Sequence, residues 1–349
     1  MPKSEVFNEL LSKLDIHPVL IDIGSSGAPP EIWEPIARHS VYVGFDPDLR
    51  EMHEVPDGRF RKAITVNEAV MGDEAGESVT FYLTRSPYCS STLKPDLESL
   101  SNFLFSDLFV VEREASVKAS TLNSILDRLS LDRIDWFKTD SQGIDLRLFN
   151  SLREEVRSHV LAVDIEPGLI SAYLGEDTFV DVHKNLTREG FWLSNVNVCG
   201  TVRMRQAALE EAAAQERGID RAFVEQNLRK TPGWCEARYL RTIESLPREK
   251  AEANRRDYVL LWTFSLMDEQ LGFALDVGLE YEKVFGADDT SRAMKTEAVA
   301  RIKRARPAKP KGQTPLARAK SLVPAPAKRL IRKIIKGRRQ NTEVRSQNE

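Results

Sequence analysis

The stretch Val19 to Asp48, VLIDIGSSGAPPEIWEPIARHSVYVGFDPD, constrains the fold more than any other part of the chain. Val19, Leu20, Ile21 and Ile23 form a short apolar run rich in β-branched residues, the pattern of a strand buried on both faces. Gly24 and Gly27 bracket two serines, so the backbone can turn sharply and approach a ligand with no Cβ in the way. Pro29 to Arg38 is helix-like, with proline at a tolerated first-turn position, and Val41 to Phe45 is a second buried run ended by Asp46-Pro47. Strand, glycine turn, helix, strand and acid is the order of one βαβ half of a nucleotide-binding α/β fold. An acid at the end of the second strand suits a ribose diol, which offers it two hydroxyl donors.

The glycine spacing separates the ligands such a half can hold. A dinucleotide fingerprint uses G-x-G-x-x-G to set a pyrophosphate on backbone amides. Here the spacing is D-x-G-x-x-G, with Asp22 inside the strand. A carboxylate there repels pyrophosphate but suits an ammonium group and a sulfonium centre, as in S-adenosylmethionine. An NAD-linked dehydrogenase is disfavoured for the same reason.

Downstream, strand patterns cover 63–71, 79–84, 110–118, 134–140 and 160–165. Helical patterns begin at Thr121 and after Ser141, and another runs over 179–190. Residues 191–198 and 201–205 read as a closing hairpin around Cys199-Gly200. From Gln206 to Gly286 the periodicity is helical throughout, WCEARYLRTIESL included. The expected organisation is therefore an α/β domain over 1–205, an α-helical appendage over 206–286, and a Pro/Ala-rich basic tail over 287–349, largely disordered.

Charge is divided unevenly along the chain. Residues 301–349 hold 16 Lys+Arg against 2 Asp+Glu, and residues 1–300 hold 34 against 51. An acidic body argues against a nucleic-acid enzyme with a basic catalytic face, so no specific nucleic acid is expected as a partner. In the tail, Leu330, Ile331, Ile334 and Ile335 lie at helical spacing between basic residues over 327–339. That is the pattern of a short helix on an anionic membrane surface, and also that of a solvated basic tail or of a segment that adheres unspecifically to nucleic acid or ribosomes. Three widely spaced cysteines, no signal-peptide core and no membrane-length apolar run predict a cytoplasmic protein, with the tail able to hold it at the inner membrane surface.

Taken in order, IDIGSSG, GFDPD, VNEAVMGDEAG, SSTL, STLNSIL, FKTDSQGID and AVDIEP resemble the motifs of the FkbM family of S-adenosylmethionine-dependent methyltransferases, over roughly residues 15–200. The resemblance implies a Rossmann-like class I methyltransferase sheet with helices on both faces. It further implies O-methylation of a hydroxyl, on a sugar of a surface glycan or a glycosylated natural product. Asp22, Gly24 and Gly27 would hold the methionine part of the cofactor, Asp46 the ribose, and Glu68 and Ala69 would lie near the adenine. Asp140 becomes the candidate base or acceptor ligand, steadied by Lys138, with Glu166 and Asp164 as second candidates. These last two, with Asp140, could also supply oxygen ligands to a divalent cation, although no metal is expected. Trp234 and Tyr239 could line an acceptor site, but helical-core packing is the stronger reading of them, and His183 reads as a surface or core residue. The sequence departs from the family pattern at Gln142, where a glutamate is usual, at Asp145, which replaces a glutamate, and at Ser25-Ser26. Gln142 keeps a rival open: a non-catalytic module that acts through the helical appendage and tail.

Overall fold

The computed structural model describes residues 6–25, 28–48, 58–72 and 76–305. The chain divides into two units, 1–303 and 304–349, the second described only at Arg304 and Ala305. The basic stretch 327–339 thus lies outside the described residues. Among the described residues ten strands are interspersed with helices: β1 (Val19–Ile23), β2 (Val41–Phe45), β3 (Lys62–Val66), β4 (Ala69–Met71), β5 (Ser78–Thr84), β6 (Val111–Thr121), β7 (Trp136–Thr139), β8 (Ala162–Ile165), β9 (Phe191–Thr201) and β10 (Thr231–Arg241).

Seven of them form the central sheet, in the order β3-β2-β1-β7-β8-β10-β9. The first five are mutually parallel, while β10 runs antiparallel to both β8 and β9. All five residues of β1 are buried, as an apolar run covered on two sides requires. Its alternation sorts the two cores. Val19, Ile21 and Ile23 join the cluster built with Leu122, Ile125, Leu148, Phe149, Val182 and Leu186, from the helices Leu122–Leu129, Asp145–Asn150 and Phe179–Arg188. Leu20 points the other way, into a cluster with Phe7, Trp33, Trp136, Tyr258, Trp262 and Tyr281. A small second sheet, in the order β4-β6-β5, stands beside the main one.

The C-terminal helices Glu252–Met267, Leu271–Phe285 and Asp289–Arg304 supply much of that second cluster. They form one of the two helical layers of the α/β fold rather than an appendage. The layer is fastened at the N-terminal ends of the strands. Arg256 donates to both carboxylate oxygens of the fully buried Asp135 and to the His17 carbonyl at 3.0 Å, while the Val19 amide donates to Asp135 at 2.7 Å.

Several expectations change. Residues 231–241 form a strand that completes the sheet, so the expected boundary at 205/206 falls inside the fold. Glu236, Ala237, Arg238 and Leu240 are good helix formers, but every second residue from Gly233 to Tyr239 is buried, and pairing with β8 and β9 overrides propensity. The partner of β9 in the closing hairpin is therefore β10, not 201–205. Residues 289–304, expected to belong to the irregular tail, are helical, with Met294 and Ala298 fully buried. The expected strand 63–71 is two strands in two sheets, and the break between them turns Glu68 inward. Among the described residues no helix is long and apolar enough to cross a membrane.

Candidate functional site

From β1 the chain proceeds to β2 and β3 on one side, and β7 lies on the other. Crevices in open α/β sheets form at such a reversal, at the carboxyl ends of the strands. Two adjoining clefts lie there. The first holds about 710 Å³ of empty space, part of it open to solvent, between the ends of β1, β2, β4 and β7; Gly24, Asp46, Glu68, Ala69 and Asp140 line it. Gly24 has φ +76°, and a Cβ there would fall on the carbonyl oxygen of Asp140, so only glycine fits this turn. Its amide and that of Ser25 both donate to the Phe45 carbonyl, at 2.9 and 3.0 Å, which ties the turn to the end of β2.

Asp46 is buried at the β2 exit and accepts the Asp48 amide at 2.7 Å, an Asx turn that aims the segment at the cleft. Glu68 accepts Lys118 at 2.8 Å, Ser120 at 2.5 Å and Arg128 at 3.0 Å. Burial alone would raise its pKa, but these three donors outweigh it and hold the carboxyl down at about 2. Glu68 is thus a permanently charged post that knits β6 and the following helix to the rim. Gly27 lies outside the described residues.

Asp22 does not line the cleft. The parallel register of β1 and β7 sets it opposite Lys138, whose Nζ donates to it at 2.7 Å, and the Tyr42 hydroxyl donates at 3.1 Å. With its carboxylate buried and taken by these partners, Asp22 supports the floor beneath Gly24 instead of meeting a ligand's methionine part. Lys138 is correspondingly fixed as a cation. Burial works against its charge, and Asp22 and Asp140 raise its pKa despite that.

Asp140 lies where the first cleft meets the second, and both are also lined by Tyr88 and Gln142. Its half-buried carboxyl is raised to about 6 by burial, with Lys138 opposing and Asp145 adding repulsion. The Gln142 side-chain amide donates to Asp140 and accepts the Tyr173 hydroxyl at 2.9 Å, while the Gln142 carbonyl accepts Ser91 Oγ at 2.7 Å. Gln142 itself sits at φ +58°, a left-handed conformation that a non-glycine residue keeps only when its surroundings hold it there. Asp145, 1% exposed, organises the same loop by accepting Thr139 Oγ1, Ser141 Oγ and the Ser141 amide, at 2.7–2.8 Å. Gln142 and Asp145 are therefore structural parts of the site.

The second cleft, about 1030 Å³ of empty space, is lined by Phe105, Phe109, Tyr173 and Trp234, together with the carboxyls of Glu166 and Glu176. Burial and the Asp140 charge push Glu166 up to about 9, against Lys138. Glu176 is raised to about 7 by burial, although the Ala172 and Tyr173 amides donate to it. Asp164 is held by Arg238 through two hydrogen bonds, at 2.6 and 2.9 Å, and turns away from both clefts. Among the described residues no group of three or more His, Cys, Asp or Glu could hold a metal ion. Trp234 does line the second cleft, from a strand rather than a helix, whereas Tyr239 is wholly buried and accepts or donates a hydrogen bond with His183 at 3.2 Å.

Sequence reasoning missed Tyr88, Phe105, Phe109, Tyr173 and Glu176. They fall in loops and short turns whose patterns carry no period, and the only signal was the density of aromatics around 103–109. No family model, no curated protein and no solved structure matches this chain.

Proposed function

We propose that this protein is an S-adenosylmethionine-dependent O-methyltransferase. The observation that carries the reading is the meeting of two clefts, at the reversal of a parallel sheet, on one carboxylate with a pKa near 6. A group-transfer enzyme with two substrates needs such a junction, since rate comes largely from holding donor and acceptor in line. The five parallel strands carry the order of a Rossmann-like sheet, and the antiparallel strand beside the edge fits the class I methyltransferase sheet that the sequence resemblance implies.

The residues of the first cleft fit the cofactor. A tight glycine turn, a buried acid at the β2 exit and no Lys, Arg or His among the described lining residues suit an adenosyl group with positive charge better than a pyrophosphate. When bound, S-adenosylmethionine supplies an electrophilic methyl on a sulfur that leaves as a neutral thioether. The chain contributes alignment and a proton acceptor. Asp140 takes the proton of the acceptor hydroxyl as its oxygen gains the methyl, then returns that proton to solvent. Gln142 fixes the carboxylate that does so, and Lys138 with Asp22 keeps a positive charge nearby.

Calorimetric titration with S-adenosylmethionine, its demethylated product and NAD tests the reading. Binding of the first two and not of NAD is expected. Asp46→Ala should weaken that binding by about 1.5–3 kcal/mol, the range for hydrogen bonds to a charged group. Unchanged affinity in the variant would place the ribose elsewhere.

A further inference from the structure

The second cleft has an unusual combination of walls. Phe105 and Trp234 present parallel rings, 6.1 Å apart between centroids and 7° from coplanar, and Phe109 meets Phe105 edge-on at 5.1 Å. Three carboxyls open into the same space, Asp140, Glu166 and Glu176, and no Lys, Arg or His is among its described lining residues. The nearby cation, Lys138, is bound to Asp22 and lines a neighbouring groove, on which Glu166 also borders. Two of the three acids are already engaged: Asp140 by the Gln142 amide, and Glu176 by the Ala172 and Tyr173 amides. Glu166 is half-buried and has no hydrogen-bond partner among the described residues, whereas every fully buried acid among them is bonded.

Each class of ligand meets these walls differently. An anionic acceptor, bearing phosphate or carboxylate, would face three acids and no counter-charge. A neutral acceptor would fill the aromatic space but offer Glu166 no more than a neutral hydrogen bond. A protonated amine meets both needs. It pairs with a carboxylate in a cavity of low dielectric, where that attraction is far stronger than in water, and aromatic faces favour a cation and its apolar skeleton.

We propose that the second cleft binds an acceptor that carries a protonated amine on an apolar or ring-shaped skeleton, with Glu166 as its counter-ion and the Phe105–Trp234 pair against its body. This deepens the methyltransferase reading, on which the word acceptor rests. The site it describes, however, is defined by the second cleft alone.

Three probes with one ring and chain length separate the classes: 2-phenylethylamine, 2-phenylethanol and 3-phenylpropionate, each titrated calorimetrically into the full-length protein. The amine should bind about tenfold or more tightly than the alcohol, the carboxylate should not bind, and Glu166→Gln should remove the preference for the amine while leaving the alcohol as it was. The amine's binding enthalpy should also vary with buffer, because an incoming cation expels a proton held between the carboxyls. Equal binding of amine and alcohol, no binding of the amine at millimolar concentration, or an amine preference that survives Glu166→Gln would each overturn the proposal. S-adenosylhomocysteine titrated into the same samples reads the first cleft and shows that the near-isosteric variant is folded. Its binding without an amine preference sinks only the acceptor class. An amine preference without its binding sinks the methyltransferase reading and leaves the amine site standing.

Discussion

Asp140 illustrates how neighbours set the protonation of a single residue. Alone, an aspartate is fully ionised near neutrality and a poor proton acceptor. Burial and Asp145 raise this one to about 6, and Lys138 with the Gln142 amide keeps it from rising further. A base must be deprotonated to act, so turnover is expected to fall as pH drops through about 6. Removing the Gln142 donor, as Gln142→Leu, should move that acid limb to higher pH. A pH–rate profile of wild type and variant checks both statements; a limb that stays put would remove Gln142 from the positioning role. Asp140→Asn should lower turnover about 10²–10⁴-fold, the usual contribution of a general base, with cofactor affinity nearly unchanged. Gly24 is constrained more simply, by space and by backbone conformation. Gly24→Ala must move either the turn or the end of β7, at a cost of about 1–3 kcal/mol for the strained backbone alone. Thermal unfolding and calorimetry together should show lower stability and loss of cofactor binding.

At the scale of elements, the helix Glu252–Met267 matters most for stability, because it ties the C-terminal layer to the sheet. Its Arg256 neutralises Asp135 at the start of β7, where the carboxylate has no access to water. Breaking a buried pair by removing one partner leaves an uncompensated charge and costs about 3–5 kcal/mol. Arg256→Met should therefore lower the denaturant midpoint strongly, and adding Asp135→Asn should restore part of the loss. Additive losses in the double variant would show that the two side chains act independently. The element that surprised most is β10, because it carries Trp234 into the second cleft while its neighbour β9 forms the sheet edge.

Across the whole molecule, the acids of the site make stability depend on pH in a definable direction. Asp140, Glu166 and Glu176 bind protons more tightly folded than unfolded. Between about 4.5 and about 9 the folded state therefore holds the extra protons, and stability falls as pH rises through that window. Glu68 acts oppositely, since its lowered pKa gives stability that is fully present above the unfolded value of 4.5 and is lost as pH falls to about 2. Melting temperature measured from pH 3 to 9 should pass through a maximum on the acidic side of neutrality. Glu166→Gln should flatten the alkaline decline, and a wild-type-like decline in that variant would show that Glu166 is not the group responsible.

The sequence by itself determined the parallel half of the fold. Strands buried on both faces, such as β1, β2 and β8, are continuous apolar runs that stand out without any partner, and the glycine turn after β1 is local chemistry. The acids at their ends, Asp46, Asp140 and Glu166, were legible for the same reason, since a position at a strand end needs no knowledge of neighbours. Tertiary structure decided the rest. Only the register of β1 on β7 sets Lys138 against Asp22 and takes Asp22 out of the cleft, and only sheet pairing makes a strand of 231–241, where Glu236, Ala237, Arg238 and Leu240 favour a helix. The aromatic wall joins residues from 105 to 234, brought together by long-range packing that leaves no period in the sequence. Pairing across strands and closure of loops depend on residues far apart in the chain, and so the lining of the second cleft became visible only once the sheet was assembled.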